Sequence, residues 1–436
     1  MSTYFEIAYA AASGRLCLFT GTGFSKAVSA NTAPSWQGLL ETLCSVLPAP
    51  NNSNLKAALF PTGLPNPLPL EEAAQVIDIE LRNIGKSAHD EIANIIRGLA
   101  LVGDNKPISD FVESNSFEVV TTNYDKLFQQ LAIKAGPQTI TPGLPIPRSS
   151  AKIQVYHVHG SIDSPGNMVV TSDDYFKFLN RDSYFAKKLS TILHENTVVI
   201  LGYSLGDTNL KTILSDYKGF SRSNVIGGNI FLFSRGAVDQ HIKDYYAHSF
   251  AIRVIDQTEV LDFFRQINLA LPDAVKCAES SKENIKKVLY EKHSYTDNYL
   301  QIESSFFEIV SSISAIGVSL NSPDVVAILG CIVEKKIGFT NQYGAWPQYG
   351  HLAKWLTYLA SLIDIRGTSM QDAFLAAALK SMETMSRGQE LGYSWQAYRT
   401  WYAGWPSVTP DNRNLLRTHI TGHAKRPDAL ELVQRG

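Results

Sequence analysis

Cysteine is scarce and scattered in this chain: Cys17, Cys44, Cys277 and Cys331 are the only four, and they lie far apart. No Cys-x-x-Cys is present, which excludes the usual zinc modules and argues against a disulfide framework. Net charge is nearly absent too, with 39 Lys+Arg against 41 Asp+Glu and a balance of -2. No global basic field therefore draws the chain to nucleic acid or to an anionic membrane. Long apolar runs are missing, since none reaches the roughly 18 residues that a membrane span needs. The N-terminal stretch has no basic segment followed by a long apolar one, so it does not read as a secretory signal. A soluble, reducing, cytoplasmic setting is expected, with Cys17 a buried free thiol inside an apolar strand. There is no internal repeat and no low-complexity tract.

What is present is length and pattern. The 436 residues suffice for two or three domains. Short apolar runs at Arg15–Thr20, Phe117–Thr122, Ile153–Val158, Thr197–Leu201, Asn229–Phe233 and Ala251–Ile255 read as strands covered on both faces. Helical patterns at Lys126–Lys134, Asp174–Leu193, Thr208–Tyr217 and Val260–Leu269 separate or follow them. That alternation predicts an α/β class with a doubly wound, mostly parallel sheet. Between the first two strands, Pro34-Ser35 starts a helix over Trp36–Val46, and the turn-rich stretch Pro48–Pro69 reads as a surface loop or lid. Apolar residues then recur at helical spacing from Glu71 to Leu101, which predicts a helical insert at about 70–102. Beyond the polar patch Ser280–Glu283 the pattern turns helical throughout. The expected domains are 1–278, catalytic, and 279–436, an α-helical unit for assembly or regulation. Five of the six tryptophans fall in the last third; they read first as the filling of a helical core, with an assembly interface as their other use. The polar segment from Arg413 to Gly436 is expected to end in a mobile tail.

Four polar blocks each follow a predicted strand: Gly21-Thr22-Gly23-Phe24-Ser25, Thr121-Thr122-Asn123-Tyr124-Asp125, His159-Gly160, and Gly202-Tyr203-Ser204-Leu205-Gly206-Asp207. All four should meet at one edge of the sheet, where open α/β folds bind ligands. The Gly-x-Gly turn offers backbone amides to a pyrophosphate. Lys26 stands where a dinucleotide fingerprint would have its third glycine, which counts against a hydride-transferring dehydrogenase. Asn123 or Asp125 can cap the helix at Lys126; equally, an Asn amide can hold a carboxamide or orient a water. Alternation puts His157 and His159 on one face, His157 deeper in the strand as a satisfied sheet histidine. His159 at the strand end is the natural general base. Asp207, and Ser172 or Asp173, read as helix caps.

As an ordered set these loops resemble the sirtuin family of NAD-consuming proteins, over roughly residues 10 to 235, which implies a sirtuin-type Rossmann-like domain. The resemblance implies NAD contacts from Gly21, Thr22, Gly23 and Ser25 on the phosphates and from Thr122, Asn123 and Asp125 near the nicotinamide ribose. Asn123 would orient the reactive water, His159 would act as catalytic base, and Gly202 and Ser204 would cradle the adenosine side. Protein-deacylating sirtuins carry a four-cysteine zinc module that this chain cannot build, so no metal is expected. Their Gly-Ile-Pro-Asp-Phe-Arg run is also missing, and Ala33-Pro34-Ser35-Trp36 stands near its place. With Trp36 there, a helical insert and an appended helical domain, the chain is more similar to the sirtuin-like NAD hydrolases of bacterial anti-phage defence. That family includes the Thoeris effector and the sirtuin-like partners of HerA-type ATPases.

The implied activity is hydrolysis of the nicotinamide–ribose bond of NAD+, giving nicotinamide and ADP-ribose and depleting NAD when triggered. The leaving group is already cationic, so no general acid is needed, only a dry pocket, stabilisation of an oxocarbenium-like state and a placed nucleophile. His159 would take a proton from a ribose hydroxyl or from the attacking water, with Asp125 supplying negative charge. A non-catalytic NAD-sensing subunit, or a protein deacylase or ADP-ribosyltransferase, are the competing readings. NAD, a homo-oligomer and a HerA-type ATPase or other defence protein are the expected partners.

Overall fold

The computed structural model describes residues 3–146, 151–180, 184–203, 230–291, 293–315, 318–344, 346–385 and 392–435. Its seven strands are β1 (Leu16–Thr20), β2 (Phe117–Thr121), β3 (Gln138–Ile140), β4 (Ile153–His157), β5 (Thr197–Leu201), β6 (Ile230–Phe233) and β7 (Ile252–Ile255). They form one sheet in the order β3-β4-β2-β1-β5-β6-β7, with every pair parallel. Side chains alternate between two covered faces. Leu16, Leu18, Val119, Val199, Phe231 and Phe233 enter one core, while Cys17, Phe19, Val120, Val198, Ile200 and Leu232 enter the other. The sheet is therefore doubly wound, as the unbroken apolar runs predict.

Register explains why the motif loops share an address. Thr20 pairs with Thr121 and with Leu201, and Thr121 pairs with His157. The next residues, Gly21, Thr122, Val158 and Gly202, all leave the sheet at one level. The order reverses around β1, between β2 and β5, which is the crevice where open sheets take ligands.

Several elements were not expected. The helix Thr3–Ala12 is apolar nearly all round and mostly buried. Lys106–Ser114 is a further helix that starts around Pro107, and β3 is a three-residue strand at the sheet edge. The stretch Pro48–Pro69 is not all loop: Asn51–Leu59 is helical, and Leu59 and Phe60 join the core of the helical module. That core also takes Leu39, Leu40 and Leu43, so the module begins before residue 70. The helix expected to stop at Leu269 continues through Pro272 to Tyr290. A proline inside a helix removes one hydrogen bond and bends it, yet burial of Phe263, Phe264, Ile267 and Ala274 holds this one to the sheet. The expected boundary at 278/279 falls within it. We propose that the division stands there nonetheless, because Ala278 still faces the sheet-domain core whereas Ile285 faces the C-terminal one.

The C-terminal helices share one core in which Trp355 stacks on Phe306 with centroids 4.9 Å apart. Trp355, Trp401 and Trp405 are buried there while Trp346 is half exposed, so the aromatics are mostly core filling. The expected mobile tail is instead the helices Pro410–His423 and Pro427–Gln434. Leu432 and Val433 are fully buried in the second, a short apolar face that a mostly polar sequence hides. Among the described residues no helix is long and apolar enough to cross a membrane.

Candidate active site

The loops at the strand ends enclose a cleft of about 1240 Å³ lined by Thr22, Gly23, Ser25, Trp36, Thr122, Asn123, Asp125, His159 and Gly202. That exceeds the ~300–1,000 Å³ of ordinary small-molecule pockets and leaves room for a dinucleotide. Gly21 lies beside it under the ring of Tyr203. Ser204 and Asp207, and the helix expected over Thr208–Tyr217, lie outside the described residues.

The centre of the site is a hydrogen-bonded knot joining the loops after β1 and β2. Asn123 Nδ2 donates to Gly21 O and to Ser25 Oγ, each at 2.8 Å. Ser25 Oγ in turn donates to Asp125 Oδ2 at 2.7 Å, while Asp125 Oδ1 accepts the Leu127 amide at 3.0 Å. Both amide hydrogens of Asn123 are thus spent inward, so its Oδ1 is the polar atom left to accept from a water or an amide in the cleft. Burial pushes the Asp125 carboxyl up, opposed by the Ser25 and backbone bonds. The helix expected from Lys126 begins at Leu127, with Lys126 in the cap position and no side-chain cap bond there; Asp125, one residue earlier, meets the Leu127 amide instead.

The structure alters the expected phosphate contacts. The one hydroxyl hydrogen of Ser25 belongs to Asp125, not to a ligand. The amides of Gly21 and Gly23 are likewise taken, by Leu201 O at 3.0 Å and Gly202 O at 2.8 Å. The glycine-rich turn is packed against the loop after β5, and Gly202 is required there: its φ is +74°, and a Cβ would lie 2.1 Å from Phe24 N. Thr122 Oγ1 closes the same corner by a short hydrogen bond to Tyr203 OH. Cleft cations that sequence reasoning missed are Lys26, Arg235 and Arg265. Arg235 follows β6, and the level exits of adjacent strands were the signal that could have found it.

The two histidines differ as expected. His157 is buried with both ring nitrogens engaged, Nδ1 at 2.9 Å from Asn123 O and Nε2 at 2.7 Å from Gln129 Nε2. His159 is 3 % exposed, and its Nε2 has no hydrogen-bond partner among the described residues. The rings of Tyr175 and Phe178 meet it edge-on, with centroids 5.5 and 5.2 Å away. Burial pulls its pKa down to about 4, so at neutral pH the ring is an uncharged base. Gly160 lets the strand end turn: its φ is +84°, and a Cβ would meet Met168 Cα at 2.7 Å.

Trp36 forms a wall of the cleft and packs edge-on against Tyr124, centroids 6.0 Å apart. Tyr175 sits on the helix Ser172–Asn180. Its start is capped by Thr171, not Ser172 or Asp173, since Asp174 N donates to Thr171 Oγ1 at 3.4 Å and Asp174 Oδ2 accepts the Thr171 amide at 3.0 Å. His89 of the helical module bonds the same carboxylate at 2.9 Å. Among the described residues no group of three or more His, Cys, Asp or Glu is placed to hold a metal.

Comparison with known proteins adds to this geometry. A family model described as a SIR2-like domain matches residues 118–255. The chain is 36% identical over 110 residues to an NAD(+) hydrolase ThsA of Enterococcus faecium, covering 24% of this chain and 23% of that protein. It is 23% identical over 265 residues to defense-associated sirtuin 2 of Bacillus subtilis, 59% of this chain and 24% of the relative. A second NAD(+) hydrolase ThsA, from Cytobacillus dafuensis, is 27% identical over 188 residues, 42% and 35% of the two chains. The chain thus spans about a quarter to a third of the length of these relatives.

Proposed function

We propose that this chain, whose residues 118–255 match a SIR2-like domain, hydrolyses NAD+ to nicotinamide and ADP-ribose as a triggered effector of anti-phage defence. The observation that carries this reading is the pairing, in one cleft, of an Asn123 amide whose hydrogens are both spent with a neutral His159 imidazole whose Nε2 has no hydrogen-bond partner among the described residues. In the reaction the C1′–nitrogen bond breaks, nicotinamide leaves as a neutral molecule, and water adds to the ribose cation. Asn123 Oδ1 holds the water, His159 Nε2 accepts its proton, and the Asp125 carboxylate stabilises the positive sugar. General-base help of this kind is worth about 10²–10⁴-fold. Trp36, Thr122 and Tyr175 shield the nicotinamide end. Thr22, Lys26 and Arg235 meet the pyrophosphate, and Gly202 with Ser204 meets the adenosine side.

NAD is a substrate in this reading, and the work is done in the cytoplasm, where the NAD pool lies. The helical C-terminal unit serves assembly or regulation, as a homo-oligomer or docked on a HerA-type ATPase; exposed Tyr343, Trp346 and Tyr402 are the side chains suited to that. Light scattering with and without such an ATPase tests it. The activity is tested by incubating the purified chain with NAD+, alone and with neighbouring-gene products, and measuring nicotinamide and ADP-ribose. Release that falls to a small residual rate, by about 10²-fold or more, in both Asn123→Ala and His159→Ala supports the proposal. NAD binding with no release under any condition would favour a sensing subunit, and acyl-ADP-ribose formed from an acyl-peptide would favour a deacylase.

A further inference from the structure

Two residues before His159 on the same strand stands a histidine that the mechanism does not use. His157 is 1 % exposed and does not line the cleft, yet its ring reaches the site's central loop. Its Nδ1 lies 2.9 Å from the carbonyl oxygen of Asn123 and its Nε2 2.7 Å from Gln129 Nε2. A carbonyl only accepts, so the ring proton is on Nδ1; Nε2 is then bare and accepts from the Gln129 amide. Gln129 Nε2 also donates to Thr139 Oγ1 of β3 at 3.2 Å, which ties the ring to the edge of the sheet. Burial lowers the His157 pKa to about 4, so the ring is neutral at neutral pH and the Asn123 carbonyl decides which nitrogen holds its single proton.

Asn123 is otherwise gripped at two points. Its backbone N–H donates to Thr121 Oγ1 at 3.1 Å, and its side-chain NH2 is spent on Gly21 O and Ser25 Oγ. The backbone carbonyl is the third handle, and rotation of the peptide plane there would swing the side chain. We propose that His157 is a positioning residue for Asn123: its Nδ1–H fixes the Asn123 carbonyl so that the side-chain oxygen keeps its aim into the cleft. His157 touches no substrate in this arrangement and acts through Asn123 alone. For its catalytic readout the inference rests on the NAD hydrolase reading; for the order of the loop it does not.

The test uses the full chain in four variants: His157→Leu, which removes the donor; His157→Asn, whose NH2 can stand near the former Nδ1; Asn123→Ala; and the His157→Leu/Asn123→Ala pair. Misplacement of a reacting group by about 1 Å costs up to ~10²-fold, so His157→Leu is expected to lose ~10–100-fold in kcat with KM for NAD+ little changed. His157→Asn should recover most of that loss. In the Asn123→Ala background His157→Leu should add nothing. Hydrogen exchange should rise in the segment 121–127 of His157→Leu and stay unchanged at the ends of β1 and β5. Additive losses in the double variant, equal damage from Leu and Asn, or faster exchange across the whole sheet would each overturn the proposal. If the wild-type chain releases no nicotinamide, the hydrolase reading falls, and the exchange comparison still decides the role of His157.

Discussion

Ser25 Oγ donates to Asp125 Oδ2 at 2.7 Å and accepts from Asn123 Nδ2 at 2.8 Å. One hydroxyl thus fixes both the carboxylate and the amide of the proposed centre, although 100 residues separate Ser25 from Asp125. Ser25→Ala strips the carboxylate of its side-chain donor and leaves one Asn123 hydrogen unmet. A lost hydrogen bond to a charged group costs about 1.5–3 kcal/mol, which translates into a ~10–100-fold fall in kcat if the full loss reaches the transition state. Steady-state nicotinamide release checks this, and Ser25→Thr, which keeps a hydroxyl, should be damaged less. A Ser25→Ala enzyme with wild-type kcat would mean that the knot is not catalytic.

Gly202 tests the packing of the same corner. Its φ of +74° is costly for an L side chain, and the Cβ of alanine would meet Phe24 N at 2.1 Å. Backbone atoms cannot yield as a flexible side chain does, so the glycine-rich turn must move away from β5. Gly202→Ala is expected to lose at least ~1–3 kcal/mol from backbone strain alone and to weaken NAD binding by more than Gly236→Ala, a cleft glycine whose Cβ would meet nothing. Thermal unfolding and calorimetric titration with NAD+ compare the two directly.

The sheet and its edge were legible because fully covered strands have unbroken apolar runs and because level exits follow from parallel register. The same reading located His159 and separated it from His157 by depth in β4. What stayed hidden had physical reasons. The helix Thr3–Ala12 is buried on nearly every side, so no polar face marks its period. The tasks of Ser25, Gly21 and Gly23 depended on which neighbouring loop claims their hydrogens, a tertiary fact with no local signal. The helix expected over Val260–Leu269 runs on through Pro272 because burial of Phe263, Phe264, Ile267 and Ala274 outweighs the bond the proline removes. Arg235 reaches the cleft because it follows β6 at the level where the neighbouring strands end.

The pH–rate profile carries a separate expectation. In the free enzyme His159 is neutral at pH 7, since burial holds its pKa at about 4. kcat/KM reports groups of the free enzyme, so it should be level from neutral pH down to about pH 5.5 and fall only as pH drops through the low range set by this burial. A bend near the ordinary histidine value of ~6.5 would show that His159 is solvated, contrary to the aromatic enclosure by Tyr175 and Phe178.

Stability should follow pH with a sign set by the same rings. His157 and His159 have folded pKa values of about 4, below the ~6.5 of an unfolded chain. Between those values the unfolded state binds more protons, so stability falls as pH falls, by up to about 1.4 kcal/mol per unit for each ring. His89 works the other way. Burial opposes its charge, but the Asp174 carboxylate prevails and raises its pKa; its contribution is full at low pH and fades as pH rises through the folded value. Urea unfolding at pH 7.0 and 5.5 separates the terms. The wild-type chain should lose stability at the lower pH, His159→Asn should lose less, and His89→Ala should lose more because its compensating ion pair is gone. A His89→Ala chain with the wild-type pH slope would show that the His89–Asp174 contact holds no charge.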